Sequence, residues 1–440
     1  MIVMKFGGSS VGNAEMIKKV AGIVKSQIRS DPIVVVSALS GATDSLIELA
    51  NSVASGKDTN GNLDALIRKH YDIMEKLGLD PSIISAEIKQ LGELVNGINV
   101  VEDLTPKTLD SMVSFGERLS ARIVAGCMQK AGMNAKAYDA YDIGMITDSN
   151  FGFADILPEA YTRIRKSFSR KDCIPVVTGF IGKDRKGNIT TLGRGGSDYT
   201  GSIIGAAVKA DEIQIWTNVN GIMTADPRIV EKAQNLSNIS YDEESELEFL
   251  GSPTLHLKGI LPAVENNITV RILNTMLPKQ KGTLITRDIK WERRVASITH
   301  KERMCIIKVN NPRLIFMNGV YKSVSEALQK HGVSPELIAV SKADVMILFN
   351  DVRNANAGGA AEELRKLGTA EVIHGLAKVS IVGKAVASIP GIAQRMLAAV
   401  GDMPIEMIEC GGSETSQSFV VKEEYAKDAI RKLHKEFFGV

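Results

Sequence analysis

A three-layer α/β unit with a mainly parallel sheet, followed by two ferredoxin-like βαββαβ units, is the fold the sequence predicts. Three observations lead there. Over roughly the first 290 residues, short β-rich runs alternate with helical stretches, the order of βαβ units. Several of those runs, Ile33-Val34-Val35-Val36-Ser37 among them, are continuously apolar, as strands buried on both faces are. After about residue 295 a strand–helix–strand–strand–helix pattern appears twice, at a constant offset of 72 residues.

In chain order, strands are expected at 2–6, 33–37, 135–139, 174–178, 212–217 and 268–273, and helices at 13–29, 43–54, 108–131 and 198–209. The polar, Gly-rich segments 55–62 and 183–188 read as loop or hairpin tips. In the duplicated part, Cys305–Val309 is a strand, Gly319 opens helix 320–330, strands follow at 335–341 and 344–349, and a helix at 356–367. The offset maps Gly319 to Gly391, Val333 to Ile405, Ser341 to Ser413, Ile347 to Phe419 and Phe349 to Val421; the second copy ends in a helix at 424–437. Each copy has the βαββαβ order of a ferredoxin-like unit, whose plainest role would be dimerisation alone.

Composition excludes whole classes of function. The 440 residues are 44% apolar and 24% charged, and 53 Lys plus Arg against 51 Asp plus Glu leave a net charge of +2. No strong basic excess points to nucleic acid or an anionic membrane. No run approaches the roughly 20 apolar residues of a membrane span. The first residues lack the order of a secretory leader, so the expected location is cytoplasmic. Cys127, Cys173, Cys305 and Cys410 lie at least 46 residues apart, which argues against a disulfide framework or a Cys-x-x-Cys metal site. No two of the six histidines have His-x-x-x-His spacing, no Gly-Lys is followed by Ser or Thr, and neither a protein-kinase catalytic loop nor a Gly-x-Ser-x-Gly elbow is present. No metal ligands are assigned.

Three clusters can carry chemistry. Lys5-Phe6-Gly7-Gly8-Ser9-Ser10 follows the first strand and precedes a helix, so backbone N–H groups and a helix N-terminus can face an anion, with Lys5 as a point charge. A tight turn with a solvated lysine is the equally weighted alternative for this hexapeptide alone. Thr190-Thr191-Leu192-Gly193-Arg194-Gly195-Gly196-Ser197-Asp198-Tyr199-Thr200 is a second anion nest, with an Arg fork suited to a carboxylate. The third is Ser114-Phe115-Gly116-Glu117-Arg118 inside a helix, where Gly116 costs about 1 kcal/mol relative to Ala and so suggests a close approach, although for Glu117 alone an ordinary solvated carboxylate is the favoured reading. Ile215–Ile222 and Ala225-Asp226-Pro227-Arg228 are weak signals on their own.

Taken in this order, these segments resemble the aspartate kinases of the amino-acid kinase family, over nearly the whole chain. The resemblance rests on Lys5–Gly12, on Val35–Ala38 with Gly41 and Thr43, on Ser114–Arg118, Thr190–Thr200 and Ile215–Arg228, and on a C-terminal half like a tandem pair of ACT domains. It implies a catalytic domain over 1–290, a first ACT domain over 301–370, and a second over 371–440 completed by the strand at 295–300. It also implies ATP-dependent phosphorylation of the β-carboxylate of L-aspartate to 4-phospho-L-aspartate, the entry to lysine, threonine and methionine synthesis, with Mg²⁺ on the phosphates.

By the same resemblance, Lys5 and Asp198 are catalytic. Ser37, Thr43, Glu117, Arg194, Gly195, Gly196 and Ser197 bind aspartate. Lys5, Gly7, Gly8, Ser9, Thr217, Asn218, Met223 and Arg228 bind the nucleotide. Gly319, Val320, Ser334 and Glu336 contact an amino-acid effector, lysine or threonine, and a homodimer or dimer of dimers forms through the ACT domains. Leu314–Val320 and Lys342 depart from the pattern of lysine-sensitive members, which argues against lysine inhibition through this site.

Three further departures fall on the nucleotide side: Asn218 where the family has Asp, Met223 where an aromatic is common, and Pro253 where a lysine is usual. They predict weakened or altered nucleotide binding with aspartate recognition unchanged, Lys258 being the available substitute cation. Another amino-acid kinase, or a non-catalytic ACT sensor with a decayed nucleotide site, are the alternatives. The end of the sequence after the second copy predicts a monofunctional chain.

Overall fold

The computed structural model describes residues 1–57, 60–169, 172–252, 255–287, 289, 294–351 and 356–439. These residues form two compact units. The first comprises Met1–Ile222, Asn235–Ser245 and Pro253–Lys290, and the second Met223–Gln234, Glu246–Ser252 and Trp291–Val440. Pro253 itself lies outside the described residues. Among the described residues no helix is long and apolar enough to cross a membrane.

The strands of the first unit are β1 (Ile2–Phe6), β2 (Pro32–Val36), β3 (Ala135–Tyr138), β4 (Ile146–Thr147), β5 (Ile174–Thr178), β6 (Ile181–Asp184), β7 (Ile189–Thr191), β8 (Glu212–Thr217), β9 (Asn238–Ser240), β10 (Thr269–Asn274) and β11 (Thr283–Thr286). Eight of them make one sheet in the order β3-β5-β2-β1-β8-β10-β11-β9, parallel except for β10 against β11. Every residue of β1, β2 and β5 is buried, which is why their apolar runs do not alternate. A side sheet, β4-β6-β7, carries the hairpin expected at 183–188.

The helices are α1 (Ala14–Ser26), α2 (Ala42–Ala54), α3 (Asn60–Leu77), α4 (Ser85–Val101), α5 (Pro106–Lys130), α6 (Glu159–Phe168), α7 (Gly196–Val208), α8 (Tyr241–Phe249) and α9 (Leu257–Glu265). Asn13 caps α1 by accepting from the Met16 N–H, and Thr105 caps α5 ahead of Pro106. Residues 60–62, read from sequence as part of a loop, form the first turn of α3. Asn, Gly and Asn are poor helix formers, and the helix is held downstream by buried Leu66, Ile73, Met74 and Leu77.

In the second unit, β12 (Ser297–Asn310), α10 (Val320–Lys330), β13 (Pro335–Val340), β14 (Asp344–Asn350) and α11 (Ala357–Leu364) are followed by β15 (Thr369–Val382), α12 (Ile392–Ala399), β16 (Met407–Glu409), β17 (Ser416–Lys422) and α13 (Glu423–Phe438). The offset of 72 carries β12 onto β15 and β14 onto β17 end to end. The antiparallel sheet runs β13-β14-β12-β15-β17-β16, with the two long strands at its centre.

Cys305–Val309 is therefore not a separate strand. It is the second half of β12, whose first half pairs with the end of β15 while Val295 and Ile298 pack with Phe419 and Val421 in the core of the second copy. A register shift divides β12, with Arg303 at φ +58°; 72 residues on, Gly375 stands at φ +72°.

Candidate active site

A cleft of about 500 Å³ opens at the carboxyl ends of β1 and β2, beside the loop that enters α7. Ligand sites of open parallel sheets lie outside these strand ends, where helix N-termini and loops converge. Lys5, Gly8, Ser37, Thr43 and Glu117 line one part; Gly193, Arg194, Gly195, Gly196, Ser197 and Asp198 line another. Ala38, Leu39, Ser40, Gly41, Asp44, Phe180 and His256 complete the wall. Three segments that lie far apart in sequence thus meet in one place.

Each is placed by identifiable contacts. Lys5 sits in β1, in register with Val35 of β2 and Ile215 of β8, so its backbone is held on both sides. Its Nζ is 2.6 Å from Asp198 Oδ1, both side chains being mostly buried. Asp198 is in the first turn of α7, a helix opened by Gly195 at φ +72°. A side chain at Gly195 would also meet His256 Cβ at 2.8 Å, so both conformation and space require glycine. The strand leading into this loop is tethered by buried Asp110, which accepts from the Thr191 N–H and hydroxyl, both at 2.8 Å, and from the Gly152 N–H at 2.9 Å.

Glu117 is almost wholly buried in α5. Its Oε1 accepts from the Ala38 N–H at 3.1 Å, and its Oε2 has no partner among the described residues. Burial pushes its carboxyl up to about 8, against the Ala38 hydrogen bond and the charge of Lys5. The close approach implied by Gly116 is a packing contact: a Cβ there would stand 2.8 Å from Ala38 Cβ, so the glycine lets α5 rest against the turn after β2. One residue beyond Glu117, Arg118 and then Arg122 enter a buried network. Arg122 reaches Glu87 at 2.6 Å and Asp139 at 2.8 Å, and Arg118 reaches Gln90 at 2.6 Å and Asp139 at 3.3 Å. That network anchors α5 from the residue next to Glu117 onward.

Arg194 differs from the others in being exposed and making no ion pair or hydrogen bond among the described residues, so its guanidinium is free to meet a ligand. On the nucleotide side, Gly7 donates its N–H to Trp216 O at 3.1 Å, which docks the turn onto the end of β8. That donor is therefore spent on the fold; Gly8 and Ser9 open a single 3₁₀ turn whose first N–H groups the turn leaves unused. Thr217 and Asn218 stand at the end of β8, next to β1. Met223 and Arg228 fall in the second unit and do not line this cleft; the Arg228 guanidinium pairs with Asp226 at 2.7 Å. Lys258 is likewise engaged, with Asp155 at 2.7 Å.

The expected effector residues lie at the start of α10 and the start of β13. Gly319 caps α10 at φ +77°, and Val320 packs in the core with Ile347 and Phe349. Ser334 is exposed, and Glu336 pairs with Lys301 and lies 4.0 Å from Lys378.

Sequence reasoning missed His256, Phe180 and Asp44 as cleft residues, and Asp110 and the Glu87–Arg118–Arg122–Asp139 network as its supports. None stands in a local pattern that distinguishes it. Asp44, close to Gly41 and Thr43, had the nearest thing to a signal.

With this geometry in view, comparison with known proteins is direct. Residues 1–274 match the amino acid kinase family, and residues 379–437 match an ACT domain. The chain belongs to the amino acid kinase family. Within it, the relatives are aspartokinases. Aspartokinase 1, chloroplastic, of Arabidopsis thaliana is 33% identical over 455 residues, covering 99% of this chain and 80% of the relative. The aspartate kinase of Clostridium acetobutylicum has a TM-score of 0.86 at 28% identity, covering 99% of this chain and all of that one. Aspartokinase III of E. coli, solved with aspartate and ADP in an R-state, has a TM-score of 0.80 at 27% identity over the whole of both chains. Its T-state complex with lysine and aspartate scores 0.83 at 28% identity, covering all of this chain and 99% of that one.

Proposed function

We propose that this chain transfers the γ-phosphoryl group of ATP to the β-carboxylate of L-aspartate, giving 4-phospho-L-aspartate and ADP. The observation that carries the reading is one cleft holding a Lys5–Asp198 ion pair, a buried carboxylate with an unused oxygen, and an unpaired guanidinium. An α-amino acid presents an ammonium and a carboxylate, and Glu117 Oε2 and Arg194 are complementary to these two groups. Ser37, Thr43, Gly195, Gly196 and Ser197 line the same space.

The chemistry asks for little else. The β-carboxylate is ionised at neutral pH and needs no general base. One of its oxygens attacks the γ-phosphorus as the bond to the ADP oxygen breaks. The barrier is set by bringing two anions together and by charge developing on the phosphoryl oxygens, so positioning and fixed positive charge supply the catalysis. Lys5 Nζ provides that charge, and Asp198 holds it in place. Gly8 and Ser9 offer backbone donors, and Thr217 and Asn218 the adjoining nucleotide wall. Mg²⁺ entering with the nucleotide would supply neutralisation of part of the phosphate charge. The cleft's own carboxylates suit that division, since Asp198 is tied to Lys5 and Asp44 alone faces it exposed.

The nucleotide side is the altered side in this reading, because Asn218 replaces an acid and Lys258 is already paired. Catalysis falls to residues 1–290, and regulation by an amino acid, lysine or threonine, to the ACT copies at 301–370 and 371–440. A homodimer or dimer of dimers is the assembly, supported by β13, an edge strand with Ile338 and Val340 exposed. The test is ADP release with aspartate, repeated with glutamate and with lysine or threonine added. Turnover with aspartate but not glutamate is the expected result; full turnover by Lys5→Ala would sink the assignment.

A further inference from the structure

The duplication at an offset of 72 supplies an internal control for what the fold of the second unit needs. Around the register shift of β12, Cys305 Sγ lies 3.1 Å from His374 Nδ1 and 3.8 Å from Asp351 Oδ2, and the latter two are 3.8 Å apart. Cys305 belongs to β12, His374 to β15, and Asp351 follows β14, so three neighbouring strands each supply one group. At the twin positions the chain has Ala377 for Cys305, Glu302 for His374 and Glu423 for Asp351. The other copy therefore forms the same strands without a thiol, an imidazole or an aspartate there. Folding does not require this trio.

We propose that Cys305, Asp351 and His374 form a binding site for a borderline-soft divalent cation, Zn²⁺ fitting best, with water as the fourth ligand. The donor set is a thiolate, an imidazole and a carboxylate, the types that bind Zn²⁺ at about 2.3, 2.0–2.1 and 2.0–2.2 Å. Ligands at those lengths on a tetrahedron stand roughly 3.4–3.6 Å from one another. The three separations here bracket that range, so rotamer-scale adjustments close the site. With thiolate and carboxylate charged and the imidazole neutral, the ligands balance the ion's charge. The open side is present as well: the His374 side chain is 61% exposed and that of Asp351 40%, while Cys305 closes the inner side. Hard cations such as Mg²⁺ and Ca²⁺ prefer all-oxygen shells and do not suit this set. Bound metal would staple the end of β14 to the two central strands.

The test uses the full chain and the metal alone. Co²⁺ should bind at one equivalent per chain, with a thiolate-to-metal charge-transfer band and tetrahedral visible bands, and Zn²⁺ should displace it. Cys305→Ser should remove the charge-transfer band. His374→Asn, a change at an exposed position, should weaken Co²⁺ binding at least tenfold and abolish the rise in melting temperature that Zn²⁺ gives the unmodified chain. Cys410→Ser and Cys173→Ser should leave the band intact. Absence of a thiolate band, its survival in Cys305→Ser, or full-strength binding by His374→Asn would each overturn the proposal.

Discussion

In the first unit every polar group of the cleft occurs once, whereas in the second nearly every structural feature has a counterpart 72 residues away. Lys5, Glu117 and Asp198 have no counterpart to share their work, and each is held by a dedicated contact: β-pairing on both sides, the Ala38 N–H, and the first turn of α7. In the duplicated half the same sheet position is filled by Arg303 in one copy and Gly375 in the other, both left-handed. A single-copy site reveals its function by convergence of unlike groups. A duplicated module reveals it by the places where its copies differ.

The largest expected effect lies in the support of the unduplicated site. Asp139→Ala leaves Arg118 and Arg122 without their shared carboxylate in a buried setting, and should cost about 3–5 kcal/mol in urea unfolding. A loss under 1 kcal/mol would mean that α5 does not depend on the network. Lys5→Ala should lower kcat by roughly 10²–10³-fold while circular dichroism stays unchanged.

Next comes Glu117. With its carboxyl raised to about 8, most of it is protonated at pH 7, and binding an ammonium beside Oε2 requires the charged form. The KM for aspartate should fall about tenfold between pH 7 and pH 9, and Glu117→Gln should abolish that dependence. The stability sign is opposite to that of a salt-bridged acid. The folded state holds the proton more tightly, so this group's contribution declines as pH rises from its ordinary value of 4.5 through 8, and is constant above.

In the second unit, Arg303→Gly should stabilise by about 1 kcal/mol, because glycine adopts φ +58° without the steric cost of a Cβ, and its N–H still reaches Glu423. Gly375→Arg should lose a similar amount; the same sign for both changes would show that the copies are not equivalent there. The smallest effect is Asn218→Asp, which should lower the KM for ATP a few-fold and leave that for aspartate unchanged, read from initial rates.

Much of the architecture was legible because it is local. The buried runs of β1, β2 and β5 declare a parallel sheet, and the repeat offset declares the twin halves of the regulatory unit. The motifs around Lys5, Glu117 and Arg194 were also legible, since Gly-rich turns and caps need particular residues at particular spacings. The long strands β12 and β15 were not, because a left-handed residue in mid-strand reads as a break when it is a register shift. Met223 and Arg228, grouped with Thr217 and Asn218 by the family resemblance, belong to the second unit while Thr217 and Asn218 belong to the first.

The order of residues alone thus determined the fold class, the duplication, the family resemblance and the polar groups around which a site could form. Folding in three dimensions decided that Gly7's N–H is spent on Trp216, that Glu117 keeps one oxygen unpartnered, and that Arg194 stays free. It also brought Cys305, Asp351 and His374 together from three strands. Burial, hydrogen-bond satisfaction and long-range pairing depend on neighbours tens or hundreds of residues away, and no local pattern encodes which donors and acceptors will be left over.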